Sequence, residues 1–194
     1  MEIDGAGLSG AAVSYTHLDF LGKRRGLLDG VCVTGGEPLL RPGLEELLRE
    51  IKSLGFPVKL DTNGSHPDRL RSLAEQGLID YVAMDVKNCP ARYAVTAGVP
   101  GLDLAPIRES VAWLMSDTVD YEFRTTVVAQ FHDEEAFREI GPWLAGVRRY
   151  FLQPFVDRDS VLRPGLTGCT PTQLERFLEL LRPFVPSAAL RGEP

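Results

Sequence analysis

Cysteine is scarce in this chain and badly spaced. Three occur in 194 residues, Cys32, Cys89 and Cys169. No CxxC appears and no pair has metal-site spacing, so neither a disulfide framework nor a zinc ribbon is encoded. Each reads as a small buried hydrophobe or an inert surface thiol. Basic residues are also in deficit: 21 Lys and Arg against 27 Asp and Glu give a net charge of −6. That argues against a nucleic-acid backbone as partner, since such a site needs a basic face. No apolar run approaches the roughly 18 residues of a membrane helix. The first residues, Met1-Glu2-Ile3-Asp4, lack the basic region of a signal peptide. The expectation is a cytoplasmic protein without membrane or nucleic-acid partners.

What is present is periodic. Hydrophobic residues at 44% and charged residues at 25% are the profile of a globular chain with a sizeable core. Residues 1–18 carry no helical or strand period and read as a non-native or disordered segment, so His17 receives no ligand role. From Asp19 the pattern becomes regular. Residues 21–28 read as the end of a helix with a basic cluster, Lys23-Arg24-Arg25. Val31–Thr34 is a short apolar strand. Leu44, Leu47, Leu48, Ile51 and Leu54 share one face of a helix that stops at Gly55. Further strands are expected over 57–61, 79–86, 121–128 and 150–155. Further helices are expected over 67–76, 104–115 and 134–144. A last helix is capped by Thr170, with Gln173 at the capping-box position. Residues 88–101 and 157–168 read as irregular connections, and the stretch after Pro183 as a fraying tail. Strands alternating with helices predict an α/β fold, an open, partial TIM-like barrel of parallel strands with outer helices. One domain is expected over 19–185, followed by a tail over 186–194.

The polar residues then sort themselves. Parallel strands put all their C-terminal ends on one rim, where α/β folds place their chemistry. At those ends fall Gly35-Gly36-Glu37-Pro38, then Asp61-Thr62-Asn63-Gly64, then Asp85 and Lys87. Arg124 lies within the fourth strand and Gln153 near the end of the fifth. Gly35 and Gly36 have no Cβ, so a ligand can lie against the backbone there. Asp61, Asn63 and Asp85 taken singly are also good turn formers and caps. As a set, the mixed charge of Glu37, Asp61 and Asp85 against Lys87 and Arg124 suits a zwitterion. A carboxylate can hold an ammonium, and an arginine can take a carboxylate bidentately. An amino-acid moiety has both ends.

These residues resemble the radical S-adenosylmethionine (SAM) activating enzymes, and among them the activating protein of anaerobic ribonucleoside-triphosphate reductase. The segments that carry the resemblance are Lys23–Gly30, Thr34–Pro38, Lys59–Gly64, Tyr81–Lys87 and Tyr121–Val127. The resemblance implies a SAM site. Gly35-Gly36-Glu37-Pro38 would serve the SAM amino group, Asp61 and Thr62 the methionyl side, and Asn63 belongs to the same cofactor-binding set. Asp85 and Lys87 would form an Asp-x-Lys lining, Arg124 would stand near the carboxylate, and Gln153 beside the ligand. It also implies a [4Fe–4S] cluster, a reducing electron donor and a glycyl-radical protein as partner.

The family's CxxxCxxC, whose three thiolates hold that cluster, does not occur in the sequence. No cluster ligand, metal ligand or catalytic residue is therefore assigned, and N-terminal truncation is the expectation. The implied function is generation of a glycyl radical on the anaerobic reductase, with this chain inactive as written. The alternative is a cluster-less fragment that binds SAM or docks on a partner without catalysis. A third reading, an unrelated partial-barrel enzyme using Lys59 or Lys87 as a Schiff-base nucleophile, has less in its favour, because Lys59 alternates with Asp61 like a rim charge.

Overall fold

The computed structural model describes residues 2–4, 18–157 and 164–192. In chain order the elements are β1 (Glu2–Asp4), α1 (residues 18–22), β2 (Val31–Thr34), α2 (Leu44–Ser53), β3 (Val58–Thr62), α3 (Pro67–Glu75), β4 (Tyr81–Asp85), α4 (Tyr93–Ala97), α5 (Ala105–Leu114), β5 (Asp120–Val127), α6 (Glu134–Trp143), β6 (Tyr150–Pro154), α7 (Pro171–Leu181) and β7 (Ala189–Leu190). Short 3-10 turns at Pro38–Leu40 and Pro90–Arg92 follow β2 and precede α4. The chain divides into two compact units. The first holds residues 1–84 and 105–121, the second 85–104 and 122–194.

In the first unit, β1, β2, β3 and β4 pair side by side and parallel, with Cys32 opposite Lys59 and Asp61 opposite Ala83. Burial alternates along the strands. Val31, Val33, Val58 and Leu60 are buried on one face, while Cys32, Lys59 and Asp61 on the other are half-buried. A period of two with one face covered is what side chains on a pleated strand dictate. α2 supplies Leu44, Leu48 and Ile51 to the core, with Glu45 and Glu46 in its first turn and Lys52 in its last, each favoured by the helix dipole. α3 begins at Pro67, whose fixed φ suits a first turn. α5 is tied to α3 by Arg71 and Glu109 at 2.7 Å.

In the second unit, β5, β6 and β7 are parallel, with Arg124 opposite Phe151 and Thr126 opposite Gln153. Phe123, Phe137, Tyr150 and Leu152 form its buried centre, and Phe137 stacks on Phe177 at 4.4 Å between ring centroids. Asp133 caps α6 by accepting from the Ala136 N–H. Thr170 and Gln173 make the expected capping box at α7.

The α/β class with parallel strands is thus observed. Three stretches differ from the sequence reading. Glu2–Asp4, within the segment expected to be non-native, pairs with β2 as a strand, while residues 5–17 lie outside those described. The connection over 88–101 contains α4, whose Tyr93 is buried and whose end is set by Gly98 in the left-handed region. The stretch after Pro183 does not fray. Val185 is fully buried, β7 pairs with β6, and Arg191 makes a bidentate ion pair with the buried Glu122 while stacking on the Phe151 ring. Part of the 157–168 connection, residues 158–163, lies outside the described residues.

Candidate functional site

Each unit gathers its own group of predicted residues. In the first, the turn after β2 folds so that Glu37 reaches the end of β3. Gly35 sits at φ +102°, a region open to glycine. One Glu37 oxygen, Oε1, accepts from the Leu39 N–H at 3.1 Å and the Thr62 hydroxyl at 2.9 Å. The other, Oε2, accepts from the Asn63 N–H at 2.7 Å. A carboxylate offers about four acceptor positions, and among the described residues these bonds fill three of them. Arg69 donates to the Leu39 carbonyl and fixes the far side of the same turn.

The end of β3 is equally tied down. The Gly64 N–H donates to Thr62 Oγ1 at 3.1 Å, and the Ser65 N–H to Asn63 Oδ1 at 2.9 Å. Gly64 adopts φ +76°, and a Cβ there would come within 2.1 Å of the Met84 methyl. The buried Ser110 hydroxyl donates to its carbonyl at 2.8 Å. The structure therefore brings Glu37, Thr62 and Asn63 together. Asp61 is not in that group, because adjacent strand residues face opposite ways. Its carboxylate meets the Cys32 thiol at 3.6 Å and the Lys59 ammonium at 3.3 Å on the half-buried face.

In the second unit, Asp85 is the hub. Its Oδ1 accepts from Arg124, at 3.1 Å from Nε and 3.0 Å from Nη2. Its Oδ2 accepts from Lys87 Nζ at 2.9 Å. The Arg124 side chain is only 13% exposed, against 32% for Asp85 and 40% for Lys87. Asp85 thus stands between a guanidinium and an ammonium, groups of the kind that also hold carboxylates. Gln153, half-buried on β6, stands across from Thr126, two positions beyond Arg124 along β5.

Residues without a sequence signal surround this hub. The Tyr93 hydroxyl donates to the Asp85 carbonyl at 3.2 Å. Thr125 Oγ1 donates to the Val86 carbonyl at 2.6 Å and is itself 2.7 Å from the Tyr150 hydroxyl. His132 Nε2 is 3.0 Å from the Lys87 carbonyl, and its Nδ1 accepts from the Val128 N–H at 3.1 Å. The neutral ring with its proton on Nε2 satisfies both, while Nδ1 also lies 3.2 Å from the Val128 carbonyl. Burial pushes the His132 pKa down, which suits that neutral form. Burial also pushes the Tyr93 phenol up to about 12 and the Tyr150 phenol higher still, so both are donors at neutral pH. Asn88, fully buried, bonds Thr96 and the Phe131 carbonyl and locks the chain leaving the hub.

A cavity of about 400 Å³ in the second unit is lined by His132, Asp133, Glu134, Gln173, Arg176 and Phe177, among others. Its polar lining is engaged internally, Asp133 and Gln173 in helix caps and Glu134 with Arg176 at 3.5 Å.

A Methanocaldococcus jannaschii protein provisionally named as a glycyl-radical enzyme activating enzyme is 34% identical over 150 residues, covering 75% of this chain and 60% of that protein. A 7-carboxy-7-deazaguanine synthase of Methanopyrus kandleri is 32% identical over 126 residues, covering 64% of this chain and 44% of that protein. The chain thus spans about half the length of these curated relatives. Among solved structures, a domain of a pyruvate-formate lyase-activating enzyme from Bacteroides vulgatus superposes with a TM-score of 0.69 at 18% identity. That match covers 85% of this chain and all of that one. This likeness is one of fold, the open parallel α/β arrangement of the partial TIM-like class. The Radical SAM superfamily model matches residues 16–138, and the chain belongs to that superfamily.

Proposed function

We propose that the chain binds SAM and works in the activation of a glycyl-radical protein, with anaerobic ribonucleoside-triphosphate reductase as the partner and the cytoplasm as the compartment. The observation that carries the reading is the 34% identity over three quarters of the chain to the relative named as an activating enzyme. The residue chemistry supports the SAM part. The Glu37 carboxylate suits the ammonium of a methionyl group. In the second unit, taken by itself, Lys87 and Arg124 beside Asp85 suit a carboxylate. Gly35, Gly36, Thr62 and Asn63 shape the turn beside Glu37, and Asp61 and Gln153 complete the proposed set. SAM when bound supplies a sulfonium. The protein's share is to bind and orient it.

The cysteines do not fit the [4Fe–4S] cluster. A cluster needs three thiolates close together. Cys89 is fully buried and its thiol is pushed up by burial, as is that of Cys169. The Cys32 sulfur lies 3.6 Å from the Asp61 carboxylate. Among the described residues no three His, Cys, Asp or Glu side chains are grouped to hold a metal ion. No step of the reaction is therefore assigned to a cluster on these cysteines, and the reading favoured for this chain by itself is SAM binding and partner docking without catalysis.

Anaerobic reconstitution with iron and sulfide tests this. The expected outcome is no stoichiometric cluster and no 5′-deoxyadenosine under reduction. About four irons and four sulfides per chain, with SAM cleaved, would overturn it.

A further inference from the structure

The strand end that carries Asp85 and Lys87 is held in an unusual way. Three consecutive main-chain carbonyls, those of Asp85, Val86 and Lys87, each accept from a different side chain: Tyr93, Thr125 and His132. The donors come from α4, from β5 and from the turn before α6. Tyr93 is 2% exposed, Thr125 1% and His132 3%. The Val86 N–H also donates to the Arg124 carbonyl of β5 at 2.8 Å. A strand that only needed to end could leave such carbonyls to water. Here buried side chains have been committed to them.

We propose that Tyr93, Thr125 and His132 are positioning residues that hold the Asp85–Lys87 main chain so that the Asp85 and Lys87 side chains stand ready for their ligand. The proposal rests on the SAM reading for the identity of that ligand. The argument is one of preorganisation. Asp85 and Lys87 are partly exposed and act through their side chains, whose directions follow from the backbone that carries them. Each missing donor frees one carbonyl and adds competing backbone states. The apparent dissociation constant then rises by the inverse of the fraction still in the competent state.

Thr125 is the central member. Its hydroxyl donates to Val86 and so accepts from Tyr150, a relay of two buried hydroxyls ending on the middle carbonyl. Tyr93 adds a second support, its ring packed edge-on against Trp143 at 6.2 Å. His132 completes the set through its neutral tautomer, anchored by Val128. The short helix α4 thus has a role in the connection that follows β4, and its sequence neighbourhood gives no catalytic motif.

The test compares Tyr93→Phe, Thr125→Val and Thr125→Ser with Thr170→Ala, which removes the α7 cap in the same unit without touching these carbonyls. Two readouts are taken at a temperature where every variant is folded. One is amide hydrogen exchange of the segment around 85–89, the other SAM affinity by calorimetry. Tyr93→Phe and Thr125→Val are expected to speed local exchange and to weaken SAM binding by about fivefold each, the worth of one net hydrogen bond. Thr125→Ser, which keeps the hydroxyl, is expected to restore both. Thr170→Ala is expected to lower thermal stability with neither effect. Unchanged exchange and unchanged affinity in Tyr93→Phe and Thr125→Val would overturn the proposal. Faster exchange in those variants, with no SAM bound by any protein including the parent, would leave the positioning role standing and overturn the SAM reading instead.

Discussion

Replacing Glu37 by Gln should damage the first unit. Glu37 spans the turn after β2 and the end of β3 through three accepted hydrogen bonds, from Leu39, Thr62 and Asn63. Gln keeps one oxygen and replaces the other by an NH2 group. Whichever way the amide is turned, a donor meets a donor, either the Asn63 N–H or the pair from Leu39 and Thr62. One or two charge-assisted bonds are lost, each worth about 1.5–3 kcal/mol, and the charge assistance of the remainder goes as well. A cost of about 2–4 kcal/mol follows. For a chain of this size that is a midpoint lowered by about 5–12 °C. The assay can be directed at one unit. The chain has two tryptophans, Trp113 on α5 in the first unit and Trp143 on α6 in the second. In a Trp143→Phe background, the fluorescence of Trp113 follows the first unit through urea unfolding. A midpoint within error of the parent would refute the claim that Glu37 staples the turn to β3.

Gly64→Ala should cost more than a surface substitution, because φ +76° is strained for alanine and its Cβ would collide with Met84. A loss of about 1–3 kcal/mol is expected in the same fluorescence assay. His132 gives a pH signature. Its pKa is lowered by burial from an ordinary 6.5, so its neutral form contributes stability above pH 6.5 that is lost as pH falls through 6.5 toward the folded value. A His132→Gln variant should therefore show a flatter fall in stability below about pH 6.5, and an identical slope would contradict a lowered His132 pKa. Arg191→Met removes both bonds to the buried Glu122 carboxylate. It should lower the stability of the second unit by about 3 kcal/mol, as measured by Trp143 fluorescence in a Trp113→Phe background. No change there would show that the segment after Pro183 is not docked through this pair.

Much of the fold was legible because its signals are local. The apolar alternation at Val31–Thr34 and the Leu44–Ile51 stripe set period and boundary directly. Thr170 and Gln173 announced a capping box that the structure contains. β7 was not legible, because Ala189–Leu190 is too short for any period and is held by a pairing and an ion pair to residues far away in sequence. α4 was hidden by two prolines and two glycines in its connection, and Tyr93 is explained only by what it touches.

The candidate site was read in part for the same reason. Within the first unit Glu37, Thr62 and Asn63 lie together, and within the second Asp85, Lys87 and Arg124 do, each group at the end of its own strands. Asp61, which the resemblance places with Thr62 beside the methionyl group, lies on the opposite face of β3 with Cys32 and Lys59, because successive strand side chains alternate. Tyr93, Thr125 and His132 act on main-chain carbonyls, and a carbonyl leaves no mark in a sequence.

The most direct measurement is a calorimetric titration of SAM into the chain without iron, beside Arg124→Leu. The account predicts binding of SAM by the parent. Loss of the charged contacts in Arg124→Leu should weaken it by about 10- to 100-fold. No heat of binding in the parent, or equal affinity in both proteins, would contradict the claim that this cluster is the carboxylate end of a SAM site.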